Sequence, residues 1–582
     1  MNKSSVYRII PRPALLCLLL VVIGPFVFDM YMVNILIKSF FFAIAVITVD
    51  ILWGYTGYLT FGQSAFFGIG AYSAGLVFTY QDFSDATVLL AVSLCILCTA
   101  AVGLCTGLLS FYRGAAPFFA CIISLVLPIT ISQLILSLGS FTGSSSGLTG
   151  FDTFSFDMDQ WYWISGGLLT LIALGAWYFV SSDFGKVLVA IRDNEPRCEY
   201  LGLNPARIKT ALLTFCAVVA GIAGFGYGSF SGVVAPELTG FGFGTELIMW
   251  VALSGRGTLW GPVLGTLIIS IVSSYLSNSM PFVWQFILGA AFVAVIIFLP
   301  KGLVPILLKP LMPNERFTPV LAETKQTDSQ KEGIALQMNQ VAKSYGSLSV
   351  LKDVTFRGRK GEVVGIIGPN GAGKTTLMRC MSDGNERTGG KVFLNGTEIE
   401  KSTPQRCVSL GLGRKFQNAN IFQSMTVAEC LRIARSIRDR PSVIRNEKVL
   451  HLPLYALEVM KATKLDTKLD VLAKDLSHGE QQALELTMVL SLEPKVVLLD
   501  EPTAGLTLQE RAQIGRVFRS LADKYHLCCL LVEHDLDFVK ELANKIVVLH
   551  QGTILMSGSP EEVVESELVQ SIYAGNEVRE AA

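Results

Sequence analysis

The sequence predicts an all-α polytopic membrane domain of about ten transmembrane helices, followed by an α/β nucleotide-binding domain. Charged residues make up about 8% of residues 1–312 and about 25% of the remainder, which is the contrast expected between a membrane region and a soluble one. A phosphate-binding loop pattern follows a short apolar run in the more charged part. We therefore predict a membrane domain over 1–312, a linker over 313–335 and a nucleotide-binding domain over 336–582.

The composition of the whole chain agrees with a membrane protein. Hydrophobic residues make up 51% of the 582 residues and the mean hydropathy is +0.50, which is too apolar for an ordinary soluble enzyme. The 47 basic and 47 acidic residues leave no net charge, so nothing here points to nucleic acid as a partner. The 12 cysteines are scattered and do not form the pattern of a secreted disulfide framework.

Ten apolar runs are long enough, or nearly long enough, to cross a bilayer and contact membrane lipid. Basic loop residues such as Arg113 and Arg192 fall on one side, and acidic ones such as Asp82 and Asp152 on the other. The basic side is predicted to be cytoplasmic, so both termini lie inside. The runs are 13–29, 32–53, 58–80, 86–111, 115–138, 161–181, 208–230, 240–255, 258–278 and 281–299.

This topology depends on the runs at 240–255 and 258–278 being two separate crossings. The nucleotide-binding domain must be cytoplasmic, because ATP is there, and a single broken crossing would place it outside. Two acidic residues, Asp50 and Glu246, lie near predicted ends of spans, so each is either a functional candidate or an interfacial residue. With so few charges, a path for a neutral or zwitterionic solute fits better than an ion pump.

Two further stretches connect the predicted elements. Residues 182–207 form a charged segment on the predicted cytoplasmic side. A short amphipathic helix and a turn at Gly202 would suit docking onto a cytoplasmic ATPase, although the charges alone fit a solvated loop equally well. Residues 313–335 are polar and aperiodic, which is typical of a flexible linker.

The phosphate-binding loop at residues 368–376 satisfies the pattern G-x-x-x-x-G-K-[ST] after the apolar run 363–367. Its glycines let several backbone N–H groups point at one anion. Lys374 supplies positive charge for the β- and γ-phosphates, and Thr375 offers a hydroxyl to Mg²⁺. The loop residues predicted to bind the nucleotide are Gly368, Asn370, Gly371, Gly373, Lys374, Thr375 and Thr376.

Two carboxylates close a second buried strand, which runs over residues 496–499. Asp500 suits the Mg²⁺ shell, and Glu501 can orient or deprotonate an attacking water. Residues 476–480 precede a helical stretch. Their serine and glycine, at a helix N-terminus, predict either a second anion site or an ordinary helix cap.

These motifs resemble the ATPase of the ATP-binding cassette (ABC) family over about residues 336–560, with 476–480 matching the signature motif. His478 and Glu480 depart from its usual sequence. The resemblance implies an α/β P-loop fold that hydrolyses ATP to ADP and phosphate, with ATP and Mg²⁺ bound. The motifs and the resemblance together assign catalytic roles to Glu501, His534 and Gln417, metal ligation to Thr375, Gln417 and Asp500, and nucleotide contacts to Tyr345, Ser477, Gly479 and Glu480.

The same resemblance implies that the chain forms one half of the functional transporter. Two cassettes of this family sandwich two ATP molecules, and each site combines the phosphate loop of one cassette with the signature of the other. This chain has one copy of each, so a second permease and ATPase half is expected, either a second copy or different subunits. Residues 504–507 match the family's D-loop.

The membrane half resembles permeases of branched-chain amino acid importers over about residues 40–300. The matching stretches are 54–72, 141–148 and 257–265. Residues 187–202 are similar to the permease coupling loop, with Glu195 and Gly202 in the matching places, which favours docking over a solvated loop. The chain is thus identified as a fused permease and ATPase.

The resemblance implies ATP-driven import of a small solute across the bacterial inner membrane, with branched-chain amino acids expected and an external solute-binding protein as a separate partner. Urea or short-chain amide importers share this permease type, and residues 53–57, 255–258 and 413–417 lean toward them. An exporter or a signalling ABC ATPase is a further alternative, against which the short loops and the number of spans argue.

Overall fold

The structure, a computed structural model, describes residues 12–112, 117–299, 302, 320–324, 333–444, 447, 449–503 and 508–573. These residues form two compact units. The first contains residues 12–192 and 205–302, and the second contains 193–204 together with most of the described residues from 320 onward. Most of the predicted linker, Arg113 and the D-loop match at 504–507 lie outside the described residues. The domain limits stay a prediction.

Ten apolar helices form the body of the first unit, one for each predicted run. Six are long and apolar enough to cross a membrane by length and composition, within the described residues. The ten are α1 (Arg12–Val27), α2 (Met30–Asp50), α3 (Gln63–Tyr80), α4 (Asp85–Ser110), α5 (Pro117–Ser137), α6 (Met158–Ser181), α9 (Pro205–Ser231), α10 (Phe241–Ser254), α11 (Trp260–Ser279) and α12 (Trp284–Phe298). Helices α10 and α11 are two distinct helices, but α10 has 14 residues and is not among the six, so two separate crossings here stay a prediction.

Short elements connect these helices. A π-helical turn, Ile51–Tyr55, extends α2, and a small antiparallel pair joins β1 (Leu148–Thr149) to β2 (Val233–Val234). The charged segment forms two helices, α7 (Asp183–Asp193) and α8 (Glu195–Tyr200), where the sequence predicted one. The helix is interrupted between them because Asn194 is the N-cap of α8 and its side chain accepts the N–H of Arg197.

Helices α3 and α9 pack backbone against backbone, which explains much of the glycine content of both. A Cβ atom added at Gly70 would overlap the carbonyl of Gly221, and one added at Gly224 would overlap the carbonyl of Phe67. Small residues at such crossings let helices approach within van der Waals distance, which is how apolar helices associate in lipid. These glycines therefore serve helix packing.

Replacing Gly224 by valine is expected to remove most folded protein from the membrane. The side chain has no space beside the Phe67 carbonyl, so α3 and α9 would have to separate, and overpacking of this kind costs about 1–3 kcal/mol or more. The amount of monodisperse protein extracted in detergent measures the effect. Gly167→Val is the matched control, since Gly167 is exposed and nothing lies within 4 Å of its Cβ position. Equal yields of the two variants would contradict the packing argument.

Asp50 is buried, and its carboxylate holds the turn before α11. Oδ1 accepts a hydrogen bond from the N–H of Gly257 at 2.5 Å, and Oδ2 accepts one from the N–H of Leu259 at 3.0 Å. Leu259 has a φ of 57°, a left-handed conformation that is unfavourable for a leucine. The two hydrogen bonds stabilise this turn, so Asp50 has a structural role.

Two sheets form the second unit. The larger has the order β14 (Thr553–Gly558), β13 (Lys545–His550), β6 (Val363–Ile367), β12 (Cys528–Val532), β11 (Val496–Asp500) and β9 (Leu412–Lys415). All of its pairs are parallel except that of β13 with β14. The smaller, antiparallel sheet has the order β5 (Leu348–Arg359), β4 (Ile334–Tyr345), β7 (Gly389–Leu394) and β8 (Thr397–Glu398), and β3 (Val320–Glu323) pairs separately with β10 (Val449–Leu452).

Two apolar cores cover the faces of the larger sheet. Residues such as Ile366 and Leu498 face the smaller sheet, while alternate residues such as Leu499 pack with helical residues such as Phe518. Burial on both faces explains why the parallel strands read as continuous apolar runs. The helices are α13 (Lys374–Ser382), α14 (Pro404–Ser409), α15 (Val427–Arg435), α16 (Leu454–Ala462), α17 (His478–Leu490), α18 (Leu508–Asp523), α19 (Leu536–Leu542), α20 (Pro560–Val564) and α21 (Glu567–Tyr573).

Candidate functional site

Four of the predicted motifs follow four strands of the larger sheet at their carboxyl ends. The phosphate loop follows β6, Gln417 follows β9, Glu501 follows β11 and His534 follows β12. Because these strands are parallel and adjacent in the order β6, β12, β11, β9, their carboxyl ends meet at one edge. Motifs separated by more than a hundred residues in the chain thus converge on a single site.

The phosphate loop has the backbone that its glycines predict. Gly371 and Gly373 have φ angles of 83° and 99°, in the left-handed region where a side chain is strained. Helix α13 begins at Lys374, so the N–H groups of Lys374, Thr375 and Thr376 lie in its first turn, beside the loop. N–H groups in this position of a helix bind phosphate. The Lys374 ammonium donates to the carbonyls of Gly368 at 2.7 Å and Pro369 at 3.0 Å.

A cavity of about 490 Å³ brings together the three residues predicted to hold the metal, Thr375, Gln417 and Asp500. Their hydroxyl, amide and carboxylate oxygens are hard donors of the kind that Mg²⁺ prefers, so the donor set fits that ion. Burial raises the pKa of Asp500 above its usual value, while the nearby Arg414 acts against this rise. Burial lowers the pKa of Lys374, and the Glu501 and Asp500 carboxylates oppose the change.

The Glu501 carboxylate lies between the two other residues predicted to be catalytic. Gln417 Nε2 donates to its Oε2 at 2.9 Å, and His534 Nε2 lies 2.9 Å from its Oε1. Glu501 itself has a φ of 44°, a left-handed conformation that costs a non-glycine residue about 1–3 kcal/mol. Strain of this size persists where the surroundings hold a side chain in one place, as these two hydrogen bonds do here.

The remaining predicted nucleotide residues lie apart from this cavity. Ser477 caps α17 through a reciprocal pair of hydrogen bonds with Glu480, and the Glu480 carboxylate also accepts from Lys468 Nζ at 2.5 Å. Neither these residues nor Gly479 lines the cavity. Tyr345 is 46% exposed, with Lys343 Nζ 4.5 Å from its ring centroid. All the assigned roles in nucleotide and metal binding stay predictions.

Residues 193–204, here called the docking segment, pack within the second unit. Arg197 is fully buried, and its Nη1 lies 3.3 Å from Glu485 Oε1 and donates to the carbonyl of Arg414 at 3.2 Å. Glu485 Oε1 also accepts the N–H of Phe416 at 3.2 Å. A single buried carboxylate thus joins the docking segment to the strand end that precedes Gln417.

A stack of rings and a guanidinium extends the same contact. The Tyr200 and Phe416 rings meet edge to face with centroids 5.0 Å apart. The Arg414 guanidinium lies 4.7 Å from the Phe416 centroid and 5.5 Å from that of Tyr200. Cation–π pairs and edge-to-face rings each contribute about 0.5–1.5 kcal/mol, so α8 and the end of β9 are well connected.

Both ends of the docking segment are also held. Asp193 Oδ2 accepts the N–H of Ser424 at 2.9 Å, and the Asn194 and Asn420 side chains are hydrogen bonded. Gly202 has a φ of 86°, and a Cβ there would overlap the Ile437 side chain. The turn predicted at Gly202 therefore exists, and it needs glycine both for its conformation and for its close approach.

The sequence did not identify the Arg197–Glu485 pair or the stack around Arg414. Arg197 lies in the charged segment 182–207 and Arg414 in the stretch 413–417, and neither stretch indicates these contacts. One signal was present, because Glu485 falls in α17 among apolar residues that are buried on both sides of it. A charged residue at a core position of a helix indicates a buried partner.

Two family profiles match the chain. That of the family described as branched-chain amino acid transport system / permease component matches residues 31–296, and that of the family described as ABC transporter matches residues 351–504. The two matches follow one another along the chain, as the predicted order of a membrane domain and a nucleotide-binding domain requires.

Individual relatives match the second part of the chain. The high-affinity branched-chain amino acid transport ATP-binding protein BraF of Pseudomonas aeruginosa is 30% identical over 251 residues, covering 97% of that protein and 41% of this chain. LivG of Escherichia coli strain K12, of the same description, is 30% identical over 250 residues, with the same coverage. The sulfate/thiosulfate import ATP-binding protein CysA 2 of Shewanella oneidensis is 33% identical over 243 residues, covering 66% of that protein.

Among solved structures, the ADP conformation of MJ1267, an ATP-binding cassette of an ABC transporter, is 27% identical. The match covers 42% of this chain and 99% of that one, with a TM-score of 0.36. The family profiles and the nearly full coverage of BraF and LivG establish the relationship. The chain belongs to the ABC transporter family, and it joins in one polypeptide a permease of the branched-chain amino acid transport type and an ATP-binding cassette that hydrolyses ATP to drive transport.

Proposed function

We propose that the chain is one half of an importer that moves a small neutral or zwitterionic solute into a bacterial cell, with branched-chain amino acids as the first candidates. The observation that carries this proposal is the contact between the docking segment and the residues before Gln417. The docking segment continues directly into α7 and α9 along the chain. A movement of Gln417 would therefore be passed through the docking segment to α7 and α9, which are covalently continuous with it.

The nucleotide site would work as follows. The loop N–H groups and Lys374 would bind the phosphates. Thr375, Gln417 and Asp500 would hold Mg²⁺, which would neutralise negative charge on the phosphates. Glu501 accepts a proton from the attacking water, and His534 holds the carboxylate in place and reaches the γ-phosphate. Tyr345 covers the adenine. Fixed donors aimed at the phosphates act by placing charge where the transition state needs it.

A second cassette would complete this site. Ser477 and Gly479 lie away from the cavity that Thr375 lines, which supports the view that they serve the phosphate of a partner cassette. Glu480 acts here by capping α17 and fixing the Ser477 backbone. The partner half is a second copy of the chain or separate permease and ATPase subunits, and a separate binding protein delivers the solute from outside.

The proposed topology follows from the charges of the loops. The chain crosses the bacterial inner membrane several times, with both termini and the cassette in the cytoplasm. The docking segment then lies on the cytoplasmic side, where its contacts with the cassette require it to be. Binding of ATP closes the cassette pair, and hydrolysis releases it.

Urea or a short-chain amide is the second candidate substrate. Residues 413–417, with Lys415 before Phe416, favour it, as do residues 53–57. The relationship to BraF and LivG favours branched-chain amino acids, but the comparable match to a sulfate/thiosulfate import protein means that the cassette alone carries little information about the solute.

Uptake in cells tests direction and substrate together. A strain that lacks the gene, and the same strain with the gene restored, are given radiolabelled leucine or urea at micromolar concentration. We expect energy-dependent accumulation of one of the two solutes only in the restored strain. Equal accumulation of both solutes in the two strains, or faster loss of preloaded solute in the restored strain, would contradict import.

A further inference from the structure

A second cavity, of about 790 Å³, lies within the first unit between helices α2, α10 and α11. The six of its lining residues that carry the inference are Phe42, Phe243, Glu246, Trp250, Ser270 and Ser274. Its residues come from both ends of the chain's membrane half, so the cavity exists only in the folded permease. Its volume is in the range of ordinary small-molecule sites.

Glu246 is the unusual member of this lining. It lies in α10, a helix of 14 residues with no other charged side chain. Among the described residues, its carboxylate has no hydrogen bond or ion pair. The contrast with Asp50 is direct, because both oxygens of Asp50 accept backbone hydrogen bonds and stabilise a turn. Unlike the buried Asp50, Glu246 is exposed and lines the cavity, so its carboxylate is open to a ligand there. Ionisable residues within apolar membrane helices are functional candidates by default.

The remaining lining supplies an apolar wall and hydroxyl groups. The Phe42 ring lies 5.3 Å from that of Phe243 and 5.7 Å from that of Trp250, centroid to centroid. Ser270 Oγ is buried and has no hydrogen-bond partner among the described residues. A buried hydroxyl without a partner is destabilising, so an acceptor placed beside it would be bound favourably.

The charges of the lining select the kind of solute. Glu237 and Glu246 are acidic, and none of the lining residues in the described part of the chain is basic. Such a site disfavours an anion and favours a group with N–H donors. The serine hydroxyls can donate to an oxygen at the other end of the solute, and the aromatic wall can cover its apolar part.

We propose that this cavity is the solute site of the permease half, and that it takes a small solute with N–H donors at one end and a carbonyl or carboxylate oxygen at the other. Glu246 accepts from the N–H donors, and Ser270 donates to the oxygen. An amino acid with an apolar side chain and urea or a short amide share this chemistry. The inference rests on the proposed import function and names the residues that recognise the solute.

Uptake by cells that carry the full-length chain and its natural partners tests the proposal. The variants are Glu246→Gln and Ser270→Ala, with Asp159→Asn as the control because Asp159 is exposed in the first turn of α6, away from the cavity. We expect the KM for uptake to rise about tenfold or more in Glu246→Gln and severalfold in Ser270→Ala, since hydrogen bonds to a charged group are the stronger. The control should keep the wild-type KM. Detergent extraction and elution profiles show whether each variant folds.

The outcomes separate this proposal from the function on which it rests. Leucine uptake that depends on Glu246 identifies an amino acid, and urea or acetamide uptake that depends on it identifies an amide; either supports the site. Wild-type cells that accumulate a solute while both folded variants keep the wild-type KM would overturn the site and leave import standing. Wild-type cells that accumulate none of these solutes would overturn both. If Glu246→Gln does not fold, the KM of Ser270→Ala decides.

Discussion

Replacing Glu501 by glutamine is expected to lower ATP hydrolysis at least about 100-fold while ATP still binds. The amide has the shape of the carboxylate but does not accept a proton, and a general base of this kind contributes about 10²–10⁴-fold to a rate. The predicted ATP contacts at the phosphate loop do not involve this side chain. In the variant the amide oxygen can accept from Gln417 and the amide NH₂ can donate to the ring nitrogen of a neutral His534, so the substituted side chain stays in the same place.

Hydrolysis by the purified complex and binding of a fluorescent ATP analogue measure the two effects separately. Glu565→Gln is the control, because Glu565 is an exposed carboxylate at the end of α20, far along the chain from the site. The control should hydrolyse ATP at the wild-type rate. Hydrolysis at more than half of the wild-type rate in Glu501→Gln would mean that another group activates the water.

Replacing Arg197 by methionine is expected to abolish solute uptake. The substitution leaves Glu485 buried without its nearest positive charge, and removing one partner of a buried pair costs about 3–5 kcal/mol. Burial already raises the pKa of Glu485. Because the same carboxylate accepts the N–H of Phe416, the contact between the docking segment and the strand end before Gln417 is lost as well. Hydrolysis should continue at a rate that no longer depends on solute and binding protein.

A double variant provides the control for this experiment. Arg197→Met with Glu485→Leu removes both charges, and a buried pair replaced by apolar residues is often no less stable than the original. We expect the double variant to recover part of the stability, measured as Tm, but not uptake, because the Glu485 carboxylate that joins the docking segment to the N–H of Phe416 is gone. Full uptake by the Arg197→Met single variant would show that the ion pair is not needed for coupling.

Local features of the fold were predictable because they depend on short stretches of sequence. The ten apolar runs correspond to ten helices since length and hydropathy decide whether a segment can satisfy its backbone in lipid. The order of strand, loop and helix around 363–376 is likewise local. The convergence of Gln417, Glu501 and His534 followed only from the family resemblance, because strand order in a sheet depends on distant pairing.

Long-range pairs were not predictable. Arg197 and Glu485 are far apart in the sequence, and the residues near each of them do not identify its partner. The sequence near Asp50 predicts only a functional or an interfacial residue, because the backbone N–H groups that it binds belong to a turn far along the chain. The packing of residues 193–204 within the second unit was not predictable for the same reason. Composition groups a segment with the residues next to it in the sequence, whereas the fold groups it with the residues that it contacts.

Transport by reconstituted protein tests the central claim, that ATP hydrolysed by this chain drives a solute inward through its permease. The tagged chain is purified with the subunits that accompany it and placed in liposomes that enclose ATP and Mg²⁺, with the binding protein and labelled solute outside. Only molecules whose cassettes face the lumen have access to the enclosed ATP. We predict that these molecules concentrate solute in the lumen above its external level, and that liposomes with the Glu501→Gln protein do not. Equal accumulation with and without enclosed ATP, or by the Glu501→Gln protein, would contradict the account.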